Sequence, residues 1–100
     1  MIVARQIFQA KYGRGDELVA LFTEFNTRMA EASESGPRFR ILTDASGPFF
    51  TVVTEVEVES FADWEGRFRT SMDQPWMGEW FGRMAPLVES GRRDFYTVAG

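Results

Sequence analysis

The order in which the apolar period changes along this chain limits its fold more than any other feature. Ile2 to Ala10 repeats every two residues, as a strand does: Ile2, Ala4, Phe8 and Ala10 share one face with the polar Gln6, and Val3, Arg5, Ile7 and Gln9 share the other. Gly13-Arg14-Gly15 interrupts that pattern, and Asp16 stands where a cap is needed for a helix with the stripe Leu18, Leu21, Phe22, Phe25, Met29 and Ala32. Glu24 and Arg28 lie one turn apart on its exposed side, and Ser35-Gly36-Pro37 supplies a glycine end followed by a proline stop.

The extended period then returns twice. Arg38 to Ala45 and Phe49 to Val58 flank Ser46-Gly47-Pro48 and read as a hairpin with a short turn. In the second of these strands Phe50, Val52, Thr54, Val56 and Val58 form an apolar face with one hydroxyl, while Phe49, Thr51, Val53, Glu55 and Glu57 grade from apolar to charged. Ser60-Phe61-Ala62-Asp63 has the form of a capping box and opens a helix through Phe61, Trp64, Phe68 and Met72. Pro75 should break or restart it, and Trp76, Met77, Trp80, Phe81 and Met84 continue at helical spacing until near Pro86. Arg92 to Ala99 is the last extended segment.

Strand, helix, strand, strand, helix, strand is the order of an α+β, ferredoxin-like βαββαβ domain. Its simplest packing is a four-stranded antiparallel sheet, in the order 4-1-3-2, with the helices on one face. Residues 1–100 read as one such domain, since no linker, repeat or low-complexity stretch divides them. The helix-free face would carry Val3, Ile7, Phe49 and Val53 beside Arg5, Glu55 and Glu57, and a second copy of the sheet could cover it. A homodimer is therefore expected.

Composition narrows the chemistry. The 100 residues include no Cys and no His, which removes disulfides, thiolate nucleophiles, imidazole bases and the commonest ligands for metal or heme. No carboxylate cluster has metal-site spacing, so no metal and no cofactor are expected. Lys11 is the only lysine, and no Ser-x-x-Lys spacing precedes it. The net charge of -4 opposes nucleic acid as a partner. Met1 to Lys11 alternate instead of placing a basic region before a sustained apolar run, and no apolar run reaches membrane-spanning length. A cytoplasmic protein that does not engage membranes is the expectation.

Gly13-Arg14-Gly15 reads as a turn, because Leu18 stands where a dinucleotide fingerprint needs its third glycine, and Asp16 and Glu17 read as first-turn residues favoured by the helix dipole. The informative residues are Gln6 and Thr54, polar groups set in apolar faces. If strands one and three are neighbours, both can point toward Trp64, Trp80 and Tyr96, giving an apolar cavity with a few polar groups, the usual build of a small-molecule site. The alternative is that both polar side chains bond to backbone and the aromatics are core. Arg38, Arg40, Arg92 and Arg93 fall on the two edge strands, where charge opposes edge-to-edge pairing, and Arg92 is a further candidate for holding a carboxylate or phenolate at a cavity mouth.

The chain also resembles the dimeric α/β-barrel superfamily, within it the NIPSNAP-like proteins and the antibiotic-biosynthesis-type monooxygenases. The residues that carry this are the opening strand running through Lys11-Tyr12-Gly13 into Asp16-Glu17-Leu18-Val19-Ala20-Leu21-Phe22, Phe61-x-x-Trp64, and Asp73-Gln74-Pro75-Trp76. In the monooxygenase branch the resemblance implies a pocket between helices and sheet with an amide on strand one and a tryptophan on helix two, positions matched by Gln6 and Trp64. Gln replaces the usual Asn, and Gln74 falls at or near the heme branch's histidine, so that ligation is absent. Two functions stay open: a homodimer that binds a flat, mainly apolar or aromatic small molecule without assigned chemistry, and a cofactor-independent monooxygenase acting on a phenolic or polycyclic substrate. The lack of an evident base favours the first.

Overall fold

The computed structural model describes residues 1–32 and 38–100. Strand β1 (Ile2–Ala10) leads to helix α1 (Gly15–Ala32), strands β2 (Arg40–Thr43) and β3 (Thr51–Val58), helices α2 (Phe61–Met72) and α3 (Met77–Met84), a 3-10 turn at Ala85–Leu87 and strand β4 (Val88–Thr97). One antiparallel sheet runs β2-β3-β1-β4, the order expected from the sequence. This is the ferredoxin-like α+β fold, with β1 and β3 in the centre.

The sheet register follows from the two-residue period. Ala4, Gln6 and Phe8 of β1 stand opposite Val56, Thr54 and Val52 of β3, and opposite Phe95, Arg93 and Gly91 of β4. Gly91 leaves room where the sheet needs it, since a Cβ there would lie 3.1 Å from the Phe8 ring. α1 and α3 seal one end of this face. Leu18, Leu21, Phe22, Val52, Met77, Trp80 and Leu87 form the buried cluster there, each large apolar side chain contributing roughly 1.5–3 kcal/mol. α2 covers the other end more loosely and has no fully buried residue of its own. It is set by Ser60, whose hydroxyl accepts the Asp63 N–H at 3.1 Å, and Asp73 terminates it before Pro75.

Local boundaries differ from the sequence expectations in three places. α1 starts at Gly15, so Asp16 is a first-turn residue beside Glu17 and not the cap. The hairpin strands are shorter than expected and the loop between them longer, spanning 44–50. Phe50 closes that loop at a φ of 60°, in the left-handed region that favours glycine, held by its ring's packing against Gly15 and, at 5.0 Å, against Tyr12. β4 starts at Val88, four residues before the Arg92 expected, because the chain leaves the 3-10 turn directly into pairing with Ala10 across an irregularity at Gln9/Ala10. The Ser35-Gly36-Pro37 stop lies outside the described residues.

The face without helices carries Val3, Arg5 and Ile7 of β1, Val53, Glu55 and Glu57 of β3, Leu42 of β2 and Tyr96 of β4. Phe49, also expected there, precedes β3 and projects from the loop, 70% exposed. Arg5 and Arg40 both pair with Glu55 at 2.8 Å, and the Arg5 guanidinium also lies 4.9 Å from the Tyr96 ring centre. No helix among the described residues is long and apolar enough to cross a membrane.

Candidate functional site

The loose seat of α2 leaves a cleft between α2, the α1/α3 end of the molecule and the middle of the sheet, with a volume of about 780 Å³. Its floor is sheet. Thr54, Gln6 and Arg93 lie side by side on β3, β1 and β4, since Gln6 is the register partner of both others. A polar row therefore crosses three adjacent strands in a cleft whose walls are mainly apolar. Phe22, Phe25 and Met29 of α1, Trp64 and Phe68 of α2, and Trp80, Phe81 and Met84 of α3 form those walls.

Neither the Gln6 amide nor the Thr54 hydroxyl makes a hydrogen bond among the described residues, although Thr54 is buried to 5% exposure. Both groups line the open cleft, and no fully buried side-chain polar atom among the described residues lacks a partner. Their donors and acceptors are thus open to the cleft's contents. The alternative, in which Gln6 and Thr54 bond to backbone, finds no such bond among the described residues.

The aromatic residues divide. Trp64 stacks on Phe68 with ring centres 5.1 Å apart, meets Phe95 edge-on at 5.1 Å and is only partly buried, so part of its ring surface is open to the cleft. Trp80 is 3% exposed, and its indole N–H is spent on the Leu21 carbonyl, so it offers the cleft ring surface and no hydrogen bond. Tyr96 is not at the site. As the register partner of Val3 it points to the opposite face of the sheet, where its ring meets Arg5; Phe95 occupies the helix side instead.

Arg92 is displaced for the same reason. It pairs in register with Ile7, and its side chain bonds Asp94 at 3.0 Å on the far face. Arg93 takes the place expected of it: its guanidinium carbon lies 4.6 Å from the Trp64 ring centre and 5.2 Å from that of Phe68. The sequence reading missed Arg93, and Phe25 and Phe39 as wall residues. The alternation of β4 held a weak signal for Arg93, since its odd positions include Phe95, but its even positions offer Tyr96 and Val88 in return.

Asp63 is the only carboxylate among the described residues lining the cleft, and both of its oxygens are engaged, one by the Glu59 N–H at 3.3 Å and one by Arg67 at 3.2 Å. No group of three or more His, Cys, Asp or Glu positioned for a metal ion occurs among the described residues. Two carboxylates outside the cleft are held in the charged form by arginines. Arg40 first, then Arg5, hold Glu55 below its ordinary value against the opposing effect of burial, and Arg83 does the same to Glu24 on the outside of α1.

Fold and cleft together define a ferredoxin-like sheet with a ligand-sized cavity under its second helix. No family model matches the chain, and no curated protein matches it in sequence. Solved structures do match in shape. A NIPSNAP domain protein from Burkholderia xenovorans is 17% identical, with a TM-score of 0.83 over 99% of this chain and 95% of that one. A NIPSNAP family protein from Agrobacterium tumefaciens is 18% identical, with a TM-score of 0.80 over 96% and 90%. An antibiotic-biosynthesis-monooxygenase-like protein from Nitrosomonas europaea is 17% identical, with a TM-score of 0.72 over the whole of both chains. At such identities these similarities show the fold, which is the one the sequence resemblance implied.

Proposed function

We propose that this protein is a NIPSNAP-like homodimer that binds a flat, mainly apolar small molecule in the cleft under α2, with no reaction assigned to it. One observation carries the reading: in a cavity of about 780 Å³ with aromatic walls, the Gln6 amide and Thr54 hydroxyl share the floor with no partner among the described residues. Indole and phenyl faces supply contact area for a planar ligand, while the amide and hydroxyl supply direction for a carbonyl or hydroxyl oxygen. A cytoplasmic location is part of the same reading. The second copy is placed on the open sheet face, where Val3, Ile7, Leu42 and Val53 are incompletely buried and charges of both signs stand beside them.

A cofactor-independent monooxygenase acting on a phenolic or polycyclic substrate is the second reading, favoured by the placement of both Gln6 and Trp64 in one cavity and by the shape shared with the Nitrosomonas protein. It needs a base to deprotonate the substrate, and Asp63 is already held by two donors. Binding without reaction is therefore preferred. The deciding experiment is a screen of planar aromatic compounds by tryptophan fluorescence, followed by oxygen uptake with each binder. Saturable quenching without oxygen uptake supports the binding reading, uptake supports the second, and no quenching by any planar compound overturns both.

A further inference from the structure

Eight arginines pair with carboxylates among the described residues: Arg5 and Arg40 with Glu55, Arg14 with Glu17, Arg28 and Arg83 with Glu24, Arg67 with Asp63, Arg69 with Glu65 and Arg92 with Asp94. Arg93 instead meets two aromatic rings, Trp64 and Phe68, at the edge of the cleft. In a chain with a net charge of -4, Arg93 stands beside a mainly apolar cavity with no carboxylate partner among the described residues. A ring contact leaves the guanidinium its N–H donors, and its fork matches a carboxylate in a way that a point charge does not.

Building on the cleft as a binding site, we infer that its ligand class is a planar aromatic anion, a carboxylate or phenolate, whose charged oxygen is held by Arg93 while its ring lies against Trp64. The order of groups across the floor supports this. Thr54, Gln6 and Arg93 form a line from hydroxyl through amide to guanidinium, so a ligand lying along it meets in turn two neutral hydrogen-bonding groups and the Arg93 charge. Asp63 adds no free negative charge to repel such a ligand, because Arg67 compensates it.

The test compares two probes of the same shape, 2-naphthoate and methyl 2-naphthyl ketone, by isothermal titration calorimetry on the full chain. The acid should bind at least about tenfold more tightly than the ketone, as expected for a hydrogen bond to a charged group. Raising the salt should weaken the acid alone. Arg93→Met, which keeps a stem to cover Trp64, should abolish the preference, and Arg93→Lys should restore part of it. Equal affinity of the two probes for the wild-type protein overturns the inference and leaves the binding site standing, and so does a preference that survives Arg93→Met. Failure of both probes to bind at millimolar concentration overturns the inference together with the reading beneath it. Should Arg93→Met fail to fold, the wild-type acid-to-ketone ratio and its salt dependence decide the matter.

Discussion

The indole Nε1 of Trp80 donates to the carbonyl oxygen of Leu21 at 3.0 Å, tying α3 to the middle of α1 across the buried end of the molecule. Trp64, on α2, has no such bond among the described residues and lines the cleft. Truncating the two should have unequal consequences. Trp80→Ala is expected to cost about 3–5 kcal/mol, as for other large buried aromatics, and Trp64→Ala about 1–2 kcal/mol. Urea denaturation measures both, and only Trp64→Ala should leave a folded protein that no longer binds planar ligands. Comparable losses of stability would show that Trp64 is core.

Gln6→Leu tests the floor. A polar group with no protein partner is replaced by an apolar one of similar length, so stability should be unchanged or rise by up to about 1 kcal/mol, while affinity for a ligand bearing a carbonyl or hydroxyl falls about tenfold. Thr54→Val should act in the same direction. Thermal melts and titrations on the same preparations check the pair, and a loss of several kcal/mol in either variant would mean that its polar group is structurally engaged.

The open sheet face predicts the assembly. Sedimentation equilibrium at micromolar concentration should return twice the 11.4 kDa chain mass, with an interface above roughly 1,000 Å² in total. Val53→Glu places a charge among Ile7, Leu42 and Glu55 and should shift the protein to monomer. A wild-type monomer under these conditions would contradict the dimer.

Acid should weaken the fold through Glu55. Its folded pKa is lowered by Arg40 and Arg5, so the stability it contributes is complete above the unfolded value, about 4.3, and is lost as pH falls through the lower folded value. Glu24 with Arg83 behaves likewise. Glu55→Gln should lower stability at pH 7 by about 1 kcal/mol and flatten the decline between neutral pH and pH 3, with urea midpoints as the readout. An acid limb as steep as that of the wild-type protein would exclude Glu55 as a contributor.

The parts of this fold legible in the sequence are those with one clear period. β1 has the bounds its alternation implies, Ser60 caps α2, and Pro75 separates α2 from α3. Gln6 and Thr54 could be paired because both of their strands have one distinctly apolar parity. β4 has none: Val88 and Tyr96 on even positions balance Phe95 on an odd one, and the irregularity at Gln9/Ala10 changes the phase. The sequence therefore points to Tyr96 and Arg92 for the cleft in place of Phe95 and Arg93, a displacement of one residue that reverses the face. The length of the 44–50 loop was hidden for another reason, since Phe50 adopts a backbone conformation that its residue type rarely takes, held by ring contacts with Gly15 and Tyr12 and by the Ala10 N–H bonded to its carbonyl.

The polar row on the cleft floor takes one residue from each of three strands, and the neighbours of each along its own strand face away. No contiguous peptide of this chain spells out the site. Deleting a single residue within β1 would exchange Gln6 for a side chain from the opposite face, whereas wholesale replacement of the loops would leave the row intact. Descendants of such a protein could keep their ligand while losing nearly every recognisable word of sequence, and three positions that never adjoin in the chain would have to be inherited together.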